Sequence, residues 1–194
     1  MADRKIRSST LVGVDRRGIY EIFAKKGFTK GCEVGVRDAA NARAMLEVIP
    51  NLELTLVDPY MVYEFVNMRS RNKWKWHKPD MDKMRYRALK SLARANVIWL
   101  MTTSAKAAQC IEDASLDFVY IDANHSFSFV MEDIIIWGRK VKKGGIISGH
   151  DWGIRSVRRA VTEYAKYNRL SIKVTDREME RGKSGIVTSW MLEK

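Results

Sequence analysis

Residues 31–46 read Gly31-Cys32-Glu33-Val34-Gly35-Val36-Arg37-Asp38-Ala39-Ala40-Asn41-Ala42-Arg43-Ala44-Met45-Leu46, a strand that stops and becomes a helix. Cys32, Val34 and Val36 alternate as a strand does, and Ala42, Met45, Leu46 and Ile49 recur at helical spacing. Gly35 sits at the break, where a residue without Cβ lets the chain turn sharply and lets a ligand come close. The free N–H groups of the following helix start suit polar or anionic atoms. A second apolar run, Leu52 to Val57, ends in Asp58, placed as a carboxylate would be for the two hydroxyls of a ribose. Strand, glycine turn, helix, strand and acid make half of a nucleotide-binding α/β unit.

The rest of the chain keeps the same rhythm. Residues 15–26 read as a short helix with Ile19, Ile22 and Phe23 on one face, and residues 1–10 as a polar, frayed end. Later strands are expected at Val97–Met101, Phe118–Ile121 and Ile146–Gly149. Helices are expected over 81–94 behind Asp80, after a capping Ser104 through Ala108 and Ile111, along Val130, Ile134, Trp137 and Val141, and along Val157, Val161 and Tyr164. Lys142-Lys143-Gly144-Gly145 reads as a helix stop and turn. Residues 171–175 and 185–192 alternate as an antiparallel pair at the sheet edge. Alternating strands and helices imply a mostly parallel sheet, seven-stranded, with helices on both faces and an antiparallel edge strand. Ligands of such sheets bind beyond the carboxyl ends of the strands. That rim collects Gly35, Asp58, Thr103, Ser104, Asp122, His125, His150 and Asp151. Five of these eight bind protons or metals, which points to chemistry there rather than simple packing.

Composition narrows the class. The 194 residues fit one domain, 1–194, with 1–29 as a helical extension. Thirty-five Lys and Arg against 23 Asp and Glu give a net charge of +12. That favours anionic partners, or is a solvated basic surface. Cys32 and Cys110 suggest reduced thiols rather than a disulfide framework. No apolar leader and no run of membrane-spanning length are evident, so a cytoplasmic, membrane-free protein is expected. Residues 59–79 break the rhythm: Arg69, Arg71, Lys73, Trp74, Lys75, Trp76, His77 and Lys78 interleave cations with rings. The stretch reads as a lid that offers charge and stacking surfaces, or as a solvated loop; single-stranded nucleic acid would suit it too.

The glycine turn holds one glycine and two acids, Glu33 and Asp38, which argues against a dinucleotide pyrophosphate. S-adenosylmethionine, with a ribose, an ammonium and a sulfonium, suits acids better, and Glu33-Val34-Gly35 resembles the first motif of class I S-adenosylmethionine-dependent methyltransferases. Two further stretches, Ile121-Asp122-Ala123-Asn124-His125-Ser126 and Gly144-Gly145-Ile146-Ile147-Ser148-Gly149-His150-Asp151, resemble the subfamily with Ile-Asp-x-x-His-Ser and Gly-His-Asp motifs. The resemblance spans about residues 30–192. It implies a Rossmann-like methyltransferase in which Glu33 and Gly35 hold the methionine part, Asp58 the ribose, and Thr103 and Ser104 the adenine. Asp122 matches the acid of the fourth motif. Asp122, His150 and Asp151 would be metal ligands for magnesium, manganese or zinc. An acidic base often found two residues after Asp122 is replaced by Asn124, which makes His125 the candidate base, with Asp122 beside it as a catalytic group.

The acceptor implied is an oxygen, or a nitrogen, of a small or sugar-like molecule; the positive charge favours an anionic one, and a homodimer is compatible with the fold. Alternatives remain: a nucleic-acid-binding protein or RNA methyltransferase using the 69–78 loop, and a non-catalytic relic in which Ala39 and Ala40, where relatives often carry glycines, have closed the pocket.

Overall fold

The computed structural model describes residues 8–61, 64–66, 73–75, 78–176, 178–179 and 186–194. The strand–turn–helix reading is borne out: β2 (Lys30–Val34) ends at Gly35, α2 (Ala40–Val48) follows, and β3 (Glu53–Val57) returns parallel to β2. Gly35 has φ +93°, and an added Cβ would lie 2.2 Å from the carbonyl oxygen of Asp122. The glycine is therefore required by the neighbouring strand end as well as by the turn.

The remaining elements in chain order are β1 (Ser8–Leu11), α1 (Arg16–Lys25), the short β4 (Glu64–Val66) and β5 (Lys73–Lys75), α3 (Lys78–Ser91), β6 (Val97–Leu100), α4 (Ser104–Ala108), β7 (Leu116–Ile121), α5 (Phe127–Lys140), β8 (Val141–Gly149), α6 (Arg155–Asn168), β9 (Ile172–Thr175), β10 (Glu178–Met179), β11 (Ile186–Val187) and β12 (Trp190–Glu193). The main sheet runs β1-β9-β12-β8-β7-β2-β3-β6. It has eight strands rather than seven, because the end expected to fray supplies β1, parallel to β9. The expected antiparallel pair forms between β9 and β12, and β12 is also antiparallel to β8.

Strand alternation sends successive side chains to opposite faces. Cys32 and Val34 pack with α4, α5 and α6, including Trp137, Val157 and Val161. The other face carries Phe118 and Tyr120 under α1 and α2, with Ile19, Tyr20, Phe23 and Met45. Phe23 stacks on Phe118 at 4.3 Å between ring centroids, so the N-terminal helix is part of the core. Its Asp15 cap accepts the Gly18 amide at 2.8 Å. Glu33 lies between Cys32 and Val34 and so faces the α1 side.

Several boundaries shift for local reasons. α3 starts at Lys78, not behind Asp80, and Pro79 falls in the first turn, where no backbone N–H is needed. Thr103, not Ser104, is the N-cap of α4, and α4 ends before Ile111. α5 gives way to β8 at Val141 without a separate turn; residues 142–145 form an irregularity in register, between the Leu116–Val141 and Phe118–Ile146 pairs. The 59–79 stretch, expected to be irregular, contains β4 and β5 paired antiparallel. Arg69, Arg71, Trp76 and His77 lie outside the described residues.

Candidate active site

The carboxyl ends of β2, β3, β7 and β8 meet on one rim, as parallel topology dictates. Gly35 donates its N–H to the Val57 carbonyl at 2.8 Å, and Asp122 donates to the Val34 carbonyl at 2.8 Å, which locks the three strand ends together. Four residues other than glycine take positive φ in these rim loops: Arg37 (53°), Ala39 (63°), Tyr60 (46°) and Asp151 (58°). Strain of this kind persists where surrounding contacts over-determine the backbone, often at functional sites.

Glu33 is fully buried, and its carboxylate oxygens make no hydrogen bond of normal geometry, with the Asn41 side chain as a weak donor beside them. Burial, followed by the nearby Asp122 charge, pushes its carboxyl well above the usual range, against the opposing pull of Asn41 and Arg16. The Tyr20 hydroxyl beside it is also buried, against the Tyr120 hydroxyl. Asp58 accepts the Val36 and Arg37 amides on Oδ2 (3.0 and 2.9 Å) and the Tyr60 amide on Oδ1 (2.8 Å). It thus ties the glycine turn to the end of β3. Burial raises its carboxyl above the usual value despite these three donors.

The second half of the rim is a cluster of two acids and two imidazoles. His125 Nε2 lies 2.9 Å from Asp151 Oδ2 and 3.8 Å from Asp122 Oδ1. Burial disfavours its charge, but hydrogen bonds and Coulomb attraction to the two carboxylates prevail and lift the imidazole to about 9. Asp151 is held far below the ordinary range: burial opposes this, and His125 and His150 outweigh it. His150 Nδ1 lies 3.3 Å from Asp151 Oδ2 and 3.7 Å from Asp122 Oδ1. Its Nε2 meets the Arg16 guanidinium at 2.5 Å. A guanidinium only donates, so this Nε2 carries the lone pair and Nδ1 the proton. His150 therefore turns a protonated nitrogen toward the acids.

Asp122, His125 and Asp151 can each offer one ligand atom, and these atoms all lie within 4.8 Å of one another. Two oxygens and one nitrogen at that spacing fit a divalent ion such as manganese or zinc. His150, expected in the ligand set, lies against the same two acids. The cofactor-side residues also suit their expected ligand, since a buried carboxylate with no hydrogen bond of normal geometry is matched by an ammonium group.

Thr103 is the N-cap of α4, and Ser104 is its first residue. Ser104 Oγ donates to Asp133 and accepts from Trp137 Nε1 at 2.8 Å, so its hydroxyl braces α4 on α5. Burial outweighs that bond and raises Asp133 to about 6. Sequence reasoning missed Arg16, Tyr20 and Asn41. Arg16 Nη1 donates to Asn41 Oδ1 at 2.8 Å, and Asn41 Nδ2 donates to Asp122 Oδ2 at 3.2 Å. Nothing in the sequence separates Arg16 from its exposed neighbour Arg17; only the helical spacing of Arg16 and Tyr20 hinted at a shared face.

The sequence model of the methyltransferase domain family matches residues 4–152. No curated protein sequence matches the chain. Among solved structures, the chain is similar to an O-methyltransferase from Bacillus cereus in complex with SAH, at 13% identity and a TM-score of 0.66, with 92% of this chain and 80% of that one covered. It is similar to the O-methyltransferase TomG from Streptomyces achromogenes in complex with SAM, at 12% identity and a TM-score of 0.65, covering 92% and 79%. It is also similar to the spermidine synthase from Thermotoga maritima, at 13% identity and a TM-score of 0.59, covering 90% and 56%. Likeness at this identity establishes the fold, and the last of these shows that one fold serves more than one reaction. No described helix is long and apolar enough to cross a membrane.

Proposed function

The chain belongs to the methyltransferase domain family and is an S-adenosylmethionine-dependent methyltransferase, and from that premise we propose that it methylates an oxygen of a small anionic acceptor with the help of a divalent ion. The observation that carries this reading is the compact Asp122–His125–Asp151 triad, set on the same rim as Glu33 and Asp58. Glu33 would hold the ammonium of the cofactor. Asp58, already fixed by three amides, would face the ribose with its remaining lone pair. The cofactor supplies an electrophilic methyl group.

Asp122, His125 and Asp151 would hold the ion, which would lower the pKa of an acceptor hydroxyl. Without the ion, the two carboxylates hold the His125 imidazole at about 9, protonated at neutral pH. Its proton must leave before the nitrogen can act as a ligand or accept one from the acceptor. The nitrogen ligand favours manganese or zinc over magnesium, which prefers oxygen. Arg155, Arg158 and Arg159 are exposed on α6, the helix that follows Asp151 in the chain, and Arg159 lies 4.7 Å over the Phe127 ring at the start of α5. They favour an anionic acceptor.

Calorimetric titration with S-adenosylhomocysteine, then with Mn²⁺, tests the reading. Micromolar cofactor-product binding, and Mn²⁺ binding abolished by Asp122→Asn, are expected. A wild type that binds no S-adenosylhomocysteine sinks the enzyme reading; retained Mn²⁺ binding in the variant sinks the metal part. The net charge of +12 sustains one rival, an RNA acceptor. Binding to RNA that weakens steeply with salt would favour it.

A further inference from the structure

We propose that the groove between α2 and α3, lined by Arg43, Arg87 and Lys90, binds the phosphate backbone of a single-stranded nucleic acid, with the Tyr86 ring as a stacking surface for its bases. None of the lining residues belongs to the Asp122–His125–Asp151 cluster, so this surface is a second site, independent of the acceptor taken at the rim.

α3 has two faces. Met81 and Ala88 are buried in the core shared with α1 and α2. Lys83, Arg87 and Lys90 recur at spacings of four and three and are exposed. They share one face, in a row about 10 Å long at about 1.5 Å per residue. The acids of α3, Asp80 and Asp82, stand near its start, and Asp82 is paired with Arg85 at 3.5 Å. No acid follows in the helix. Arg43 on α2 joins Arg87 and Lys90 around a cavity of about 440 Å³, whose other lining residues are Asp38 and Ser91. Glu47, one turn beyond Arg43, is paired with Arg17 at 3.2 Å. Among the described residues, Arg43, Arg87 and Lys90 have no carboxylate partner, and Asp38 is the one acid in the lining.

Three like charges around one groove repel one another, and like-charged neighbours on a helix destabilise it. A ligand carrying several negative charges reverses that sign. A single phosphate would meet one or two of these cations. A row along α3, with a third cation supplied from α2, instead follows a chain of phosphates. Tyr86 separates nucleic acid from other polyanions. Its ring is 64% exposed, with Lys83 three residues before it and Lys90 four after, and Lys90 Nζ lies 5.9 Å from the ring centroid. Cations beside an exposed ring suit unpaired bases: the phosphates meet the charges, and a base of any kind stacks on the ring. A sulfated glycan would use the charges and leave the ring idle.

The probe is a short fluorescein-labelled oligouridylate, followed by anisotropy across a salt series, with thermal melts to verify folding. Arg87→Ala/Lys90→Ala should weaken binding at low salt about tenfold or more and flatten the logarithmic salt slope by about 1.4, two contacts at about 0.7 each on a single strand. Lys106→Ala/Lys166→Ala removes the same charge from α4 and α6, on the other face of the sheet, and should change neither. Tyr86→Ala should weaken binding about tenfold, and Tyr86→Phe should not. A wild type that binds no oligouridylate at low salt, or equal losses in the two double variants, would overturn the proposal and leave the net charge of +12 as a solvated surface. Heparin that binds as tightly as oligouridylate, with Tyr86→Ala unimpaired, would also overturn it, making the groove a polyanion site blind to bases.

Discussion

Glu33→Gln should separate the stability of this protein from its ligand binding. The wild-type carboxyl is fully buried with no hydrogen bond of normal geometry, and burial holds its folded pKa well above its free value of 4.5. Below pH 4.5 the group is protonated in both states and imposes no charge penalty. As pH rises from there toward the raised folded value, the unfolded chain releases the proton and the folded chain keeps it, so stability falls. The slope is about 1.4 kcal/mol per pH unit for one proton. A neutral amide has no such term. The stability difference, variant minus wild type, should therefore climb by about 1.4 kcal/mol per unit above pH 4.5 and level off past the folded pKa. The amide's own unpaired donors shift this curve by an amount independent of pH, so the slope is the diagnostic. Urea melts of both proteins at pH 5, 6, 7 and 8, without ligand, measure it. The same variant should bind S-adenosylhomocysteine about ten-fold or more weakly, because the ammonium loses a charged partner. A difference flat in pH, or one that falls as pH rises, would refute the claim that Glu33 is an uncompensated buried acid.

Three further substitutions probe other parts of the rim. Gly35→Ala should lose about 3 kcal/mol or more, combining the left-handed backbone with a clash against main chain, and a chemical melt within 1 kcal/mol of wild type, by contrast, would mean that the turn is not fixed. His125 is raised from 6.5 to about 9, so its ion pairs stabilise fully below pH 6.5 and fade as pH climbs through 9; since its side chain is 32% exposed, about 1–2 kcal/mol is expected after allowing for solvent, and His125→Gln should flatten the stability profile between those pH values. Ser104→Ala should cost about 1–3 kcal/mol by stranding Asp133 and Trp137 while leaving S-adenosylhomocysteine affinity unchanged; a calorimetric loss of affinity would return Ser104 to the adenine site.

Much of this architecture was legible because it depends on neighbours in sequence. Cys32, Val34 and Val36, then Ala42, Met45 and Ile49, change period at Gly35, and a period change is a local property. Asp58 and Asp122 could be placed on the rim because parallel strands bring their carboxyl ends together. β1 was missed, since Ser8-Ser9-Thr10-Leu11 is mostly polar and becomes a strand only when β9 supplies its partner. Ser104 looked like a helix cap by residue type, but Trp137 and Asp133 compete for its hydroxyl from another helix.

The sequence by itself determined the alternating α/β fold, the glycine turn and the set of acids and histidines available at the strand ends. Only the tertiary structure decided their pairing: His125 and His150 both set against the two aspartates, Asp58 spent partly on amides, and Arg16 brought beside His150. Periodicity arises from contacts within a turn or two of chain and can be read along it. Hydrogen bonds, burial and pKa depend on atoms from distant segments packed together, and no local pattern encodes which of several chemically similar side chains arrives there.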